Sequence, residues 1–458
     1  MSNISMGTTS ASAALTNPRT GLPRTAPPAA DRRAVLATVS AARAAQPGWS
    51  GLTTGERSRR LLAFAALMED NAEQYVAAEQ AGTGKPRPEA VGEVAGGIDL
   101  VRFYAGAIRS DLTPGSGHRL PGRESWVRWE PLGAVAAIVP WNYPLMMAVW
   151  RFAPALAAGN TVVVKPAETT ADSMLLAAQH ARETLGPDVL TVLPGDRETG
   201  RSLVECQGVD AIAFTGSRTG GLDVVARAGL RRVSLELGGN CAAVVLPDAP
   251  EDTWERLTAA ATYNAGQSCA SPARVLTLRE CYDQTVRGLS DAMGRRRAGR
   301  DFGPLNNPDQ ARRFDGIVGA SSAGIRQKAP VDTGDGETGG YWRPGLILAD
   351  VPEDDPAVVE EVFGPVLTVQ AVESVEDLVA AANGMPHALA ASVWSRDTSA
   401  VLRLATRLDA GEVWVNCHLE QTGELPHGGR KESGHGTDMS VLALTEYQRP
   451  KTITVNVE

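Results

Sequence analysis

The sequence lacks the local signatures of several enzyme and binding classes. Its six histidines and five cysteines are scattered, with no CxxC or HxxxH pair, so spacing predicts no metal site. There is no GxSxG elbow of the kind that carries a nucleophilic serine, and no GxxxxGK[ST] phosphate loop. No dense Lys/Arg stripe occurs: 44 basic residues stand against 53 acidic ones, a formal charge of −9, which excludes the electrostatic footprint of a nucleic-acid binder. Five cysteines, an odd number, are too few to staple 458 residues and point to a reducing cytosol. The first residues have neither a basic n-region nor an apolar h-region, so they do not read as a secretory signal. Residues 1–30 read instead as a polar, flexible lead-in.

Charge is also missing from one internal stretch, between Glu130 and Arg151. It is long enough for a hydropathy window to register a membrane span. Pro140 and Pro144 within it argue for a strand, a turn and a helix start, so no membrane partner is expected. Around this stretch the chain has a clear rhythm. Helical spacing dominates from Asp31 to about Gly106, and a Pro/Gly-rich excursion follows from Ser110 to Glu130. Short apolar runs then alternate with helical segments: GAVAAIV, TVVVKP, VLTVLPG, DAIAFTG and RRVSLELGG, and after Asn240 CAAVVLP, ARVLTLR, VLTVQAV, ALAASVW and GEVWVN. Strands apolar throughout and joined by helical crossovers predict a parallel sheet covered on both faces. The fold class is therefore α/β, a doubly wound Rossmann-like domain followed by a second α/β domain. A Gly/Pro/Asp-rich section from about Gly324 to Pro356 interrupts the second domain. The tail EYQRPKTITVNVE reads as a strand, to pair with another chain's sheet edge or with the excursion near residue 120.

Candidate chemistry lies at strand ends and in Gly-rich turns, where open α/β sheets bind ligands. Cys269 sits among small and polar residues in YNAGQSCAS, which suits either an accessible nucleophile or a structural thiol. Glu236 interrupts an apolar strand before two glycines in LELGGN, as a salt-bridge partner or a general base. Asn142, in PWNYP, is a turn residue or a donor to an oxyanion. Lys165 and Glu168 close VVVKPAE and are either solvated or placed to bind ribose hydroxyls. In FTGSRTGG, Gly216 and Gly221 flank a turn that alone is weak evidence for a phosphate site.

Taken together and in order, Glu79-Gln-Ala-Gly-Thr-Gly-Lys-Pro86, PWNYP, WRFAPALAAGNTVVVKPAE, FTGS, LELGGN, GQSC, EEVFGP at 360–365 and PHGGRKESGHG resemble the signatures of the NAD(P)-dependent aldehyde dehydrogenase family. The resemblance implies Cys269 as nucleophile, Glu236 as general base, and Asn142 with the Cys269 backbone N–H as oxyanion hole. It implies NAD, with NADP disfavoured by Glu168, held by Trp141, Lys165, Glu168, Gly195, Phe214, Gly216, Ser217, Gly221, Glu361 and Phe363. PWNYPLMM, PHGG and Asp438-Met439-Ser440 look most like aminobutyraldehyde and betaine-aldehyde dehydrogenases. The substrate positions would then be Tyr143, Trp150 and His427, with Glu420, Gln421 and Glu424 on the preceding loop, suited to a cationic ω-amino aldehyde. The implied layout is an NAD-binding domain from 31–111 and 132–238, a catalytic domain over 239–435, and an oligomerisation element from 112–131 and 445–458 that builds a homodimer or homotetramer. Arg218 and Gly220 depart from the family pattern. They motivate an alternative, an NAD-independent thioester or ester hydrolase; a CoA-acylating variant and a non-catalytic scaffold are further alternatives.

Overall fold

The structure, a computed structural model, describes residues 15–110, 116–333 and 339–458. Residues 15–30 correct the expectation of a flexible lead-in; 1–14 lie outside the described residues. β1 (Leu15–Thr16) pairs antiparallel with β2 (Pro23–Arg24) around the Asn17–Gly21 turn. The turn is fastened on three sides: the Pro18 carbonyl accepts from Tyr341 N at 2.9 Å, the Arg19 carbonyl from Trp342 Nε1 at 2.9 Å, and Arg19 Nη1 donates to the Gly84 carbonyl at 3.0 Å.

Four helices follow: α1 (Arg32–Ser50), α2 (Thr54–Asp70), α3 (Ala72–Thr83) and α4 (Arg87–Ala107). Their starts obey local chemistry. Asp31 accepts from Ala34 N to cap α1, and Thr53 with Glu56 forms a reciprocal capping box on α2. α3 stops at Gly84, whose φ of +75° continues no helix. The excursion then forms β3 (Gly117–Leu120) and β4 (Arg123–Pro131).

The first large sheet consists of β5 (Ala134–Ile138), β6 (Thr161–Lys165), β7 (Leu190–Val192), β8 (Ala211–Gly216) and β9 (Arg232–Leu237), all parallel, in the order β7-β6-β5-β8-β9. Its strands are apolar on both sides because both faces are covered. Val135, Ala137, Val162 and Val164 pack with α2, α4, α5 (Pro144–Ala157) and α6 (Asp172–Thr184). The alternate residues Ala136, Val163 and Ile212 pack with α1, α7 (Arg197–Glu205) and α8 (Arg218–Ala228). The charge-free stretch is β5, the PWNYP turn and α5. Among the described residues no helix is long and apolar enough to cross a membrane.

Gly238–Asn240 leads into the second sheet. Its strands are β10 (Cys241–Val245), β11 (Pro272–Leu278), β12 (Gly324–Lys328), β13 (Leu346–Ala349), β14 (Val366–Val372), β16 (Ala390–Trp394) and β17 (Glu412–Val415), with β15 (His387–Ala388) and β18 (Arg430–Lys431) forming a separate pair. The order is β12-β13-β14-β11-β10-β16-β17, with only β12 antiparallel. β12 and β13 correct the reading of 324–356 as a plain interruption; residues 334–338 lie outside the description. Of the two pairings open to the tail, the structure has the return: β19 (Gln448–Asn456) runs antiparallel to β4 over nine residues.

Candidate active site

The site lies where the carboxyl ends of the first sheet face the Cys269 turn. β5 is central, with β6 and β7 on one side and β8 and β9 on the other. The topological switch point thus falls between β5 and β8, the crevice where a doubly wound sheet takes a dinucleotide. Residues following these strands ring it: Trp141 and Asn142 after β5, Lys165 and Glu168 at the end of β6, Gly216 and Ser217 at the end of β8.

Cys269 is set by an unusual turn. Asn264, Ala265 and Gly266 all have left-handed backbone, and a Cβ on Gly266 would come within 2.2 Å of the Gly364 carbonyl, so only glycine fits there. The strain is held by a lattice of amides. Gln267 Nε2 donates to the Asn264 carbonyl at 3.0 Å and its Oε1 accepts from Asn306 N at 2.8 Å. Asn264 Nδ2 reaches the Asn142 carbonyl at 2.9 Å, and Asn142 Nδ2 returns to the Gln267 carbonyl at 3.0 Å. Lys85, itself paired with Glu93 in the core, also donates to the Asn142 carbonyl, at 3.0 Å. PWNYP and GQSC are thereby locked face to face. One Asn142 N–H is thus spent on the Gln267 carbonyl.

Glu236, 2% exposed, ends β9 beside Cys269. Cys269 Sγ, a Glu236 oxygen and a His427 nitrogen lie within 4.8 Å of one another. Burial, and then the nearby Glu236 charge, push the Cys269 thiol well above its ordinary range. At rest the sulfur is therefore held as a thiol, with Glu236 beside it.

A cavity of about 640 Å³ opens onto Cys269. Tyr143, Trp150 and Glu420 line it, joined by Asp99 and Tyr263, which the sequence had not singled out. Tyr143 and Tyr263 stack at 6.3 Å, and Lys85 Nζ sits 4.6 Å from the Tyr143 ring centre. Asp99 comes from the face of α4 that carries Gly92 and Gly96, a spacing that was available as a signal once α4 was known to face the site.

Two substrate positions need correction. Glu424 is exposed and bonded to the Thr422 hydroxyl, outside the cavity wall, because the loop turns back to solvent there. His427 lies behind the wall, fully buried, with its ring edge-on to Trp150 at 5.1 Å and its nitrogens toward Glu236 and Glu412.

The cofactor candidates are grouped with two exceptions of role. Lys165 is buried, 3.7 Å from an exposed Glu168, and burial lowers its pKa. Ser217 caps α8 through Gly220 N at 3.2 Å. Trp141 and Phe363 meet edge-to-face at 5.5 Å. Glu361 lies over Gly238 and accepts from Gly239 N at 3.1 Å; burial raises it to about 8, against the lowering effect of that N–H. A Cβ on Gly238 would collide with this carboxylate. Gly221 does not face the crevice: it lets α8 close on Leu237 of β9. Gly195 serves contact with Thr199 in the same way. The departure at Gly220 also finds its reason, because the Phe214 ring occupies the space where a side chain would stand, 2.6 Å from an added Cβ. Arg218 is turned away onto Glu432, Nε to Oε2 at 2.7 Å.

The sequence profile of the aldehyde dehydrogenase family matches residues 6–453. The chain belongs to that family. The mitochondrial aldehyde dehydrogenase of Leishmania tarentolae is 34% identical over 442 residues, covering 93% of this chain and 87% of that protein. Human retinal dehydrogenase 2 is 32% identical, covering 96% and 88%. Among solved structures, the betaine aldehyde dehydrogenase of Staphylococcus aureus, in complex with NAD+, superposes with a TM-score of 0.93 at 27% identity over 97% of this chain and 94% of that one. The aldehyde dehydrogenase fold and the oxidation of an aldehyde are thus established for this chain.

Proposed function

We propose that the protein oxidises a short ω-amino aldehyde, such as 4-aminobutanal, to its carboxylic acid, with NAD as oxidant. The observation that carries this reading is the cavity itself: Cys269 at its floor, aromatic faces from Tyr143, Trp150 and Tyr263, and the carboxylates of Asp99 and Glu420 in its wall. Aromatic faces with carboxylates suit a cation at the far end of the aldehyde.

The residues fit a dinucleotide. The switch-point crevice, the capped start of α8 and the approach under Phe214 would hold it, with Lys165, Glu168 and Glu361 available to its ribose hydroxyls and Trp141 and Phe363 to its nicotinamide end. Two relatives of known structure were solved with NAD+. When bound, NAD supplies the hydride acceptor. The chain's own residues do the rest. Glu236 removes the thiol proton as Cys269 Sγ adds to the aldehyde carbon, and the second Asn142 N–H with the Cys269 backbone N–H holds the oxyanion. After oxidation to the thioester, Glu236 releases the thiol proton to solvent, takes a proton from water attacking the acyl carbon, and returns it to the sulfur as the C–S bond breaks. Glu168 at the adenosine ribose repels a 2′-phosphate, which favours NAD over NADP. Five free thiols fit a reducing cytosol.

Steady-state rates with 4-aminobutanal, betaine aldehyde, hexanal and benzaldehyde test the reading. The amino aldehyde is expected to give the highest kcat/KM. A tenfold preference for the neutral aldehydes, about 1.4 kcal/mol of transition-state discrimination, rejects it. A betaine aldehyde preference moves the assignment to that substrate, and equal kcat/KM with NADP removes the role of Glu168.

A further inference from the structure

Glu236 is buried with neither carboxylate oxygen hydrogen-bonded within the protein. A lone buried carboxylate takes up a proton, and a protonated carboxyl cannot serve as a base. The nearest compensating group is His427, whose Nε2 lies 3.8 Å from Glu236 Oε1. On its other side, His427 Nδ1 is 3.0 Å from Glu412 Oε2 and 3.0 Å from Gln421 Nε2. That nitrogen therefore has an acceptor when protonated and a donor when not. Trp150 fixes the ring edge-on, and the backbone is held by reciprocal bonds, His427 N to the Asp438 carbonyl at 2.8 Å and Asp438 N to the His427 carbonyl at 2.7 Å.

We propose that His427, clasped between Glu412 and Glu236, is a positioning residue that supplies the counter-charge of the Glu236 carboxylate and holds it toward Cys269. The other titratable groups facing this cluster are Asp438, Arg151, Glu361 and the Cys269 thiol. Arg151 is bound to Asp438 at 2.7 Å and shares its charge with that carboxylate, whereas the His427 imidazole is the basic group 3.8 Å from Glu236. Burial disfavours that imidazolium, but the two carboxylates outweigh burial and hold it charged up to about 9. A carboxylate–imidazolium–carboxylate chain is thus built in one step from β17 and the Pro426–Gly429 turn. This deepens the functional reading and rests on Glu236 as the base of thioester hydrolysis.

His427→Phe is a suitable test because it keeps an aromatic ring against Trp150 and removes both ring nitrogens. The acid limb of the kcat–pH profile is expected to rise by at least about one pH unit, and the pre-steady-state burst of NADH to slow at the same low pH, because Glu236 serves both the attack of the thiol and the activation of water. In Glu412→Gln the imidazole loses its proton earlier, so the basic limb is expected to move down. Limbs in both variants that superimpose on the wild type overturn the inference while leaving aldehyde oxidation intact. A readout free of turnover is the titration of His427 by NMR of 13C-labelled histidine, assigned by its loss in His427→Phe. A midpoint above about 8, falling in Glu412→Gln, is expected; one below about 7 overturns the inference whether or not any aldehyde is turned over.

Discussion

His418 shows how one neutral side chain supports the nucleophile's turn. Its Nε2–H donates to the Ala270 carbonyl at 2.8 Å, next to Cys269, and its Nδ1 contacts Ser392 Oγ at 2.8 Å, which in turn accepts from Trp394 Nε1 at 2.9 Å. Burial drives its pKa down to about 4, with the Ala270 carbonyl opposing. The folded form therefore resists the proton that the unfolded chain accepts near 6.5. Its stabilising effect is complete above that value and is lost as pH falls from 6.5 toward 4, by about 2 kcal/mol at pH 5. Thermal unfolding followed from pH 8 to pH 5 should show a steeper loss of Tm in the wild type than in His418→Gln; parallel curves would remove this role. None of this was legible in the sequence, where His418 follows a cysteine in an unremarked loop. Cys269 was legible because its own neighbours are small and polar. Asp99, Glu412 and His418 act through partners far along the chain, so only the folded chain reveals them. Glu424 was misread for the same reason: adjacency to Glu420 and Gln421 says nothing about where a loop turns outward.

At the scale of elements, the apolar strands declared themselves because burial on both faces leaves no room for polar alternation. β13 did not, since Leu346–Ala349 is only four residues long and sits in a Gly/Pro/Asp-rich section. The pairing of β17 with the PHGG turn was equally hidden, although glycines encode it. A Cβ on Gly411 would lie 1.7 Å from the Gly428 carbonyl oxygen, and one on Gly428 would lie 2.5 Å from that of Gly436. Backbone meets backbone here, and this crossing places Glu412, the residue after Gly411, against His427, the residue before Gly428. Gly411→Ala should therefore cost several kcal/mol, roughly 2–4, because backbone rather than a flexible side chain must yield. A lowered Tm, with kcat falling more than KM changes, is the expected result. An unchanged Tm would show that the crossing tolerates separation.

For the whole molecule, the sheet β19-β4-β3 stands apart from both large sheets and is exposed along most of β19. Leu120, Val127, Val455 and Val457 lie open on it, between 36% and 57% exposed. Pro450 and Lys451 blunt the first half of the β19 edge, but Thr452–Asn456 continues in unbroken register with no strand paired on its outer side among the described residues. Apolar surface beside a free edge suits contact with a second copy of this chain, and the expected homodimer or homotetramer can be tested there. Light scattering on the eluting protein should give two or four times the 48.2 kDa of one chain. Removing residues 448–458 takes away the nine partners that β19 gives β4, so the truncated protein should fall to the single-chain mass or precipitate. A full-length protein that elutes as one chain, or a truncation that keeps the assembled mass, would mean that this sheet serves the protomer alone.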